Sequence, residues 1–162
     1  MTARRTARQA GFTIIEVLIV IMVMGILLSL AVPSFRSFVI GQRVKTASFD
    51  FYAALVFARS EAMKRRQSVT VAPVTSGEWT SGWTVKQGTT TLRSQDPVSG
   101  VSISSGSATN IVYRADGRIT SASNVGVLIS PNPADASLSN RCIRVDLAGM
   151  PRSIATTTTT CP

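Results

Sequence analysis

The sequence predicts an α+β protein in which one long N-terminal hydrophobic helix packs on an antiparallel β-sheet or β-sandwich-like head. First, the 19 residues 14–32 are almost all apolar and include one charged side chain, that of Glu16. Second, apolar residues recur with helical spacing from residue 35 to about Arg66. Third, short β-prone runs divided by turn residues follow from Ser68. We therefore expect one helix followed by seven or eight strands.

The apolar run is long enough to span a membrane, because a helix of its length measures about 28 Å. Arg4, Arg5 and Arg8 precede it, which by the positive-inside rule places this end in the cytoplasm. We predict a single-pass membrane protein whose remaining residues lie across the membrane from this end. An ordinary secretory signal fits poorly, because the small-residue junction at Gly11 lies before the apolar run and cleavage there leaves the helix attached.

Glu16 is unusual because a carboxylate inside an apolar span is costly and usually marks function. One interpretation is that its side chain extends to the nearby interface. The other is that it pairs with a cation. Removal of residues 1–11 creates an α-amino group on Phe12, four residues away, which can pair with Glu16 of the same or a neighbouring chain.

The helix is expected to kink at Pro33 rather than end there. Beyond it, we predict one apolar stripe on an amphipathic helix that runs to about Arg66 and packs on an antiparallel sheet from Phe49 onward. The stripe comprises Phe35, Phe38, Val39, Val44, Ala47, Phe51, Ala54, Leu55, Ala58 and Ala62. The basic triplet 64–66 matches the negative end of the helix dipole, and contact with a polyanion is the alternative. Arg59 and Glu61, two apart on the helix, are interpreted as structural rather than as a functional pair.

The β-rich region is divided by turn residues, among which Asp116 and Gly117 form a good hairpin turn between residues 111–113 and 118–120. The predicted strands cover residues 69–72, 82–87, 90–93, 101–104, 110–113, 126–129, 142–147 and 152–155.

The residue inventory argues against an enzyme. The chain has no histidine, which excludes Ser-His and Cys-His nucleophile pairs and His-ligated metals. Two cysteines are too few for a four-thiolate zinc site, and no glycine-rich phosphate-binding loop occurs. We therefore predict no catalytic residues, no metal site and no cofactor.

The string Gly11-Phe12-Thr13-Ile14-Ile15-Glu16, after a basic leader and before an apolar helix, resembles the class III signal of type IV prepilins and pseudopilins. The resemblance implies that a prepilin peptidase cuts between the first two of these residues and methylates the new amine of Phe12. It also implies that Glu16 recruits the subunit into a filament by neutralising a neighbour's N-terminus. The implied partners are the peptidase, the inner membrane before assembly, and other major and minor pilins or pseudopilins.

A second motif, which contains Leu55, Ala58 and Arg59 before a basic run, resembles the GspH/FimT branch of minor pilins and pseudopilins. This extends the resemblance over most of the chain and implies a low-copy subunit that starts or caps a filament. The organisation is then a leader (1–11), a transmembrane and filament-core helix (12–33), an amphipathic second half of the stem helix (34–66) and a head (67–162).

Cys142 and Cys161 are expected to form a disulfide if the head lies in an oxidising periplasm, and two free thiols are the alternative. The enclosed loop of about 20 residues would contribute roughly 3 kcal/mol. The family resemblance agrees, because many pilins close a C-terminal loop in this way.

Arg141, Arg144 and Arg152 flank or lie within this loop, so they are the candidate DNA contacts, with a solvated basic surface as the alternative. Some FimT-type pilins bind DNA through a Gly-Arg-x-Arg motif, of which only Arg152 matches here. The leading function is a minor pilin of a type IV pilus. The alternatives are a minor pseudopilin of a type II secretion system and a pilus-associated DNA receptor.

Overall fold

The computed structural model describes residues 12–106 and 108–161. Its first element is a helix of 52 residues, α1 (Ile14–Arg65), which passes through Pro33 without ending. The predicted kink at this proline stays a prediction. The chain forms two units, one up to Arg36 and one from Ser37 onward, and each is described by itself.

The helix ends in a Schellman-type turn. Arg66 has a left-handed φ of 54°, and the Gln67 N–H donates to the Ala62 carbonyl at 3.2 Å. Lys64 and Arg65 lie in the last turn, where cations complement the helix dipole. The basic residues 64–66 therefore lie at the C-terminal cap of α1, as the sequence predicts.

In the described residues, eight strands follow the helix and form two antiparallel four-stranded sheets. The first sheet has the order β3-β2-β1-β5 and the second has the order β4-β6-β7-β8. The strands are β1 (Val69–Thr75), β2 (Glu78–Gln87), β3 (Thr90–Gln95), β4 (Val101–Ser104), β5 (Ile111–Tyr113), β6 (Val125–Pro131), β7 (Asn140–Val145) and β8 (Pro151–Thr156).

This architecture confirms the predicted α+β class, and each predicted strand is present. Most strands are longer than predicted; for example, β1 ends at Thr75 rather than at residue 72, and β2 begins at Glu78 rather than at residue 82.

Two further differences concern turns. The predicted hairpin turn at Asp116 and Gly117 is present, because the Gly117 N–H donates to the Arg114 carbonyl at 2.9 Å and the Thr120 N–H donates to the Val112 carbonyl at 3.0 Å. Its second arm is shorter than predicted and consists of one bridge, between Ile119 and Tyr113. β7 ends at Val145 rather than at Leu147, because the chain turns there: the Gly149 N–H donates to the Asp146 carbonyl at 2.8 Å.

One hydrophobic core joins the second half of α1 to both sheets. Phe51 lies at its centre and makes edge-to-face contacts with Trp79 and Trp83, at ring-centroid distances of 5.4 and 5.1 Å. All three side chains are buried. Trp79, Trp83 and Tyr113 are therefore core residues and are not available to stack on nucleic-acid bases.

The predicted start of packing is wrong, because Phe49 is 69% exposed and the buried face already begins at Val44. Phe35 and Phe38, earlier in the stripe, are exposed by 68 and 60%. The second half of α1 has two apolar faces, and periodicity alone did not separate them. The face that packs on the sheets carries four alanines among its nine residues, and these small side chains allow close approach of the helix. It consists of Val44, Ala47, Ser48, Phe51, Ala54, Leu55, Ala58, Glu61 and Ala62.

Cys142 and Cys161 form a disulfide that holds the C-terminal tail on the outer face of the second sheet, the face turned away from the core. Cys161 lies against Gly126, where an added Cβ would approach its Cβ to 2.8 Å. Only glycine therefore lets the tail lie this close to β6.

Arg59 connects α1 to two turns of the head. Its Nε donates to the Gly117 carbonyl at 3.0 Å, and one Nη donates to the Met150 sulfur at 2.8 Å. The other Nη donates to the Ala148 carbonyl at 3.4 Å. Burial raises the pKa of the neighbouring Tyr113 phenol, which stays neutral. Glu61 instead pairs with Arg65, so Arg59 and Glu61 have separate structural roles.

Candidate processing site and assembly surfaces

The start of α1 is a capped helix terminus. The Val17 N–H donates to the Thr13 carbonyl at 3.2 Å, and the Glu16 N–H donates to Thr13 Oγ1 at 3.3 Å. Thr13 is thus the N-cap and Glu16 is the third helical residue, as in a capping box. Sequence reasoning missed this local role, although the Thr-x-x-Glu pattern before an apolar run signals it.

Glu16 is exposed, and the described residues supply no cation within salt-bridge distance of it. Phe12 precedes the helix and is 83% exposed. Gly11, the leader 1–11 and its arginines lie outside the described residues. The cleavage, methylation and recruitment roles of Gly11, Phe12 and Glu16 therefore stay predictions.

The first half of α1 has no face that resembles a protein core. Its apolar side chains are exposed on every side of the helix, for example Ile14 at 82%, Met22 at 70% and Leu30 at 72%. This helix is long and apolar enough to cross a membrane. Such a surface needs an apolar environment, which a bilayer or a bundle of similar helices supplies.

The second half of α1 carries a narrower apolar surface on the side away from the core, which we call the outer stripe. It is formed by Phe49, Val56 and Met63, exposed by 69, 43 and 42% and seven residues apart. A seven-residue repeat keeps one seam on the same side of a helix, which is the pattern of helices that pack lengthwise. The outer stripe is therefore a candidate surface for another helix.

The structure separates the three arginines that the sequence proposed as DNA contacts. Arg144 and Arg152 are paired across β7 and β8 and line one groove. Arg141 is three residues from Arg144 on β7, so it lies on the opposite face of the sheet, the face of Ile143. DNA binding stays a prediction.

One helix with a bare apolar N-terminal half and a head of two antiparallel sheets is the pilin α+β fold. The family model described as type II transport protein GspH matches residues 47–149. The prokaryotic N-terminal methylation motif matches residues 6–32. The chain belongs to the GspH family, which confirms the predicted resemblance.

The fold is similar to that of the type IV minor pilin FimU from Pseudomonas aeruginosa. The TM-score is 0.61 at 19% identity, over 75% of this chain and 93% of that chain. A second crystal form of FimU gives a TM-score of 0.58 at 19% identity, over 73 and 96%. The minor pseudopilin EpsH from the Type 2 Secretion System of Vibrio cholerae gives 0.55 at 16% identity, over 70 and 97%.

The family and the motif carry the broader functional assignment. The methylation motif implies processing by a prepilin peptidase and assembly with other pilins or pseudopilins. With the apolar helix, it indicates membrane anchoring and a place in a pilus or pseudopilus. The family is one of filament subunits rather than of enzymes.

Proposed function

We propose that this protein is a minor pilin that helps to initiate or cap a type IV pilus. The observation that carries the proposal is a methylation motif joined to a helix with an exposed apolar first half, in a chain of the GspH family. A prepilin peptidase would cut between Gly11 and Phe12 and methylate the new amine. The segments are then a leader (1–11), a filament-core helix (12–33), the rest of the stem (34–66) and a head (67–162).

Before assembly, the subunit would reside in the inner membrane with its N-terminus in the cytoplasm and its head in the periplasm. The arginines of the leader support this orientation, because positive charge stays on the cytoplasmic side. The disulfide supports it too, since such bonds persist in an oxidising compartment. On leaving the bilayer, the apolar helix exchanges lipid for the helices of neighbouring subunits.

Glu16 would set the position of each new subunit. Its carboxylate is exposed in apolar surroundings, where an uncompensated charge is costly. The amine of Phe12 on a neighbour supplies the opposite charge, and the weak dielectric screening strengthens that attraction. A misplaced subunit would leave the carboxylate unpaired, so the charge pair selects the correct axial register.

The experiment replaces Glu16 in two ways and measures the subunit in sheared filaments by immunoblot, relative to its level in the membrane. Glu16→Gln keeps the side-chain shape and a capping-box acceptor but removes the charge. Glu16→Ala removes both. We expect both variants to stay in the membrane and to be lost from filaments.

The two variants separate the roles of Glu16. If Glu16→Gln entered filaments at the wild-type level while Glu16→Ala did not, helix capping rather than charge pairing would be its role. If both variants entered filaments normally, the recruitment mechanism would be wrong.

A second candidate is a minor pseudopilin of a type II secretion system. The match to the GspH family and the fold of EpsH favour it as much as FimU favours the pilus. Neighbouring genes discriminate between the two candidates. Pilus motor and adhesin genes support the pilin, and secretin and general-secretion genes support the pseudopilin.

A further inference from the structure

β8 is an exposed strand at the edge of the second sheet. Among the described residues it pairs with β7 alone, and its four central residues, 152–155, are exposed. The free side of an edge strand presents N–H and C=O groups that another extended chain can pair with. Natural edges are commonly blocked by proline or charge, and β8 has Pro151 at its first position and the charge of Arg152 next to it, while Ser153, Ile154 and Ala155 carry neither.

Two arginines lie side by side next to this edge. Arg144 on β7 is directly opposite Arg152 on β8. Like charges in that position destabilise a sheet. In the described part of the chain no carboxylate lies within 4.0 Å of either guanidinium. The two positive charges therefore lack a direct ion-pair partner among the described residues, and an external acidic group could supply one.

The arginines line a groove of about 280 Å³, together with Asn124, Asp146, Met150 and Ile154. Met150 and Ile154 are exposed by 46 and 41%, so apolar surface borders the charges. Asp146 Oδ1 is occupied, because it accepts the Met150 N–H at 2.9 Å. Arginine and methionine on an exposed apolar patch are enriched at protein interfaces.

We propose that β8 binds an extended segment of a partner protein as a fifth strand of the second sheet. An acidic residue of that segment would neutralise Arg152 and Arg144, and an aliphatic residue two positions away would cover Ile154. This follows from the period of two, which puts Arg152 and Ile154 on the same face of β8. The recognised pattern is acidic-x-aliphatic.

The surface favours a protein segment over nucleic acid. Arg141 lies on the opposite face of β7, so only two arginines meet in the groove, and Asp146 adds a negative charge beside them. A phosphate backbone needs a longer series of cations. An edge strand, in contrast, matches the backbone spacing of another polypeptide.

This inference goes beyond the proposed function, because it requires neither Glu16 nor the apolar half of α1. The Glu16→Gln variant is expected to bind the same partner as the wild type. A failure of filament entry and a failure of edge binding are therefore separate results.

The test uses the full chain in detergent micelles and a fluorescein-labelled, end-blocked peptide, measured by fluorescence anisotropy. The peptide alternates threonine with one glutamate and one valine, placed two residues apart. A second peptide carries glutamine for the glutamate. A third carries proline between the two key residues, which removes a backbone donor.

We expect the glutamate peptide to bind, the glutamine peptide to bind about fivefold or more weakly, and the proline peptide to show no saturable binding. Arg152→Gln is expected to lower the affinity for the glutamate peptide by a similar factor. Arg93→Gln, an exposed arginine on β3 of the other sheet, is the matched control and should bind as the wild type does. Fluorescence of the buried tryptophans verifies that each variant is folded.

Three results would overturn the proposal. Equal affinity for the glutamate and glutamine peptides would exclude recognition by charge. Unchanged binding by the proline peptide would exclude pairing of its backbone with β8. Binding of a 20-base-pair DNA duplex that depends on Arg152, without binding of the glutamate peptide, would identify the groove as a nucleic-acid site.

Discussion

Both halves of α1 carry large apolar side chains, but those side chains lie in opposite surroundings. In the first half, apolar side chains such as Met22 and Leu30 are exposed by 70 and 72%. In the second half, one face is buried under the sheets around Phe51, and another keeps Phe49 exposed. One continuous helix thus has two different environments along its length. The head covers a single face of the second half, and the first half depends on lipid or on other helices.

Phe51→Ala gives the largest expected effect, because it removes a side chain that contacts both tryptophans of the core. We expect the free energy of unfolding of the head to fall by about 3–5 kcal/mol. The matched control is Phe49→Ala, two residues away on the exposed face, which should change it by about 0.5 kcal/mol or less. The measurement is a denaturant titration in detergent followed by fluorescence of Trp79 and Trp83. Similar losses in the two variants would contradict the assignment of faces.

Breaking the disulfide is expected to have the next largest effect and to act on the head alone. Replacing Cys142 and Cys161 by serine should lower the free energy of unfolding by about 3 kcal/mol. Circular dichroism of the unfolded head in micelles should still show the helix of the first half, which depends on its apolar environment. Reductant should shift the wild type but not the double variant. Two reactive thiols in the folded, mature protein would contradict the cross-link.

The smallest expected effect concerns Glu61 in the last turns of α1. The hydrogen bond from Arg65 lowers the pKa of the Glu61 carboxyl below its ordinary value of 4.5. Because the folded state favours the carboxylate, its contribution is complete above the unfolded pKa and is lost as pH falls through the folded one.

Glu61→Gln should therefore destabilise the head at neutral pH, by less than either change above, and the difference should shrink at about pH 3. Thermal unfolding at the two pH values measures this. Glu78→Gln, an exposed acid on β2, is the control and should show little effect. A Glu61→Gln effect of equal size at both pH values would exclude the charge interaction.

Local patterns determined most of what could be predicted. Periodicity and turn residues located the helix and all eight strands, because those signals depend on near neighbours. Periodicity did not show which apolar face of the second half is buried, since that depends on the shape of the sheets. The contacts of Arg59 with Gly117 and Met150 join residues 58 and 91 positions apart, and no short-range pattern specifies them.

The sequence predicted only some features of the candidate sites. The string around Glu16 predicted processing from sequence, but the N-cap role of Thr13 appeared only with the hydrogen bond from the Glu16 N–H to its hydroxyl. The adjacency of Arg144 and Arg152 depends on the register of β7 with β8, which one residue of slip would change. The sequence therefore grouped Arg141 with them, and the sheet separates it.

The proposed function requires that the leader is removed and that the first half of α1 stays attached. Intact-mass and terminal-peptide mass spectrometry of the native polypeptide tests this directly. We predict a chain that starts at Phe12 with one methyl group on its α-amine and retains the whole helix. A native chain that starts at Met1, or one that starts beyond Val32, would contradict the account.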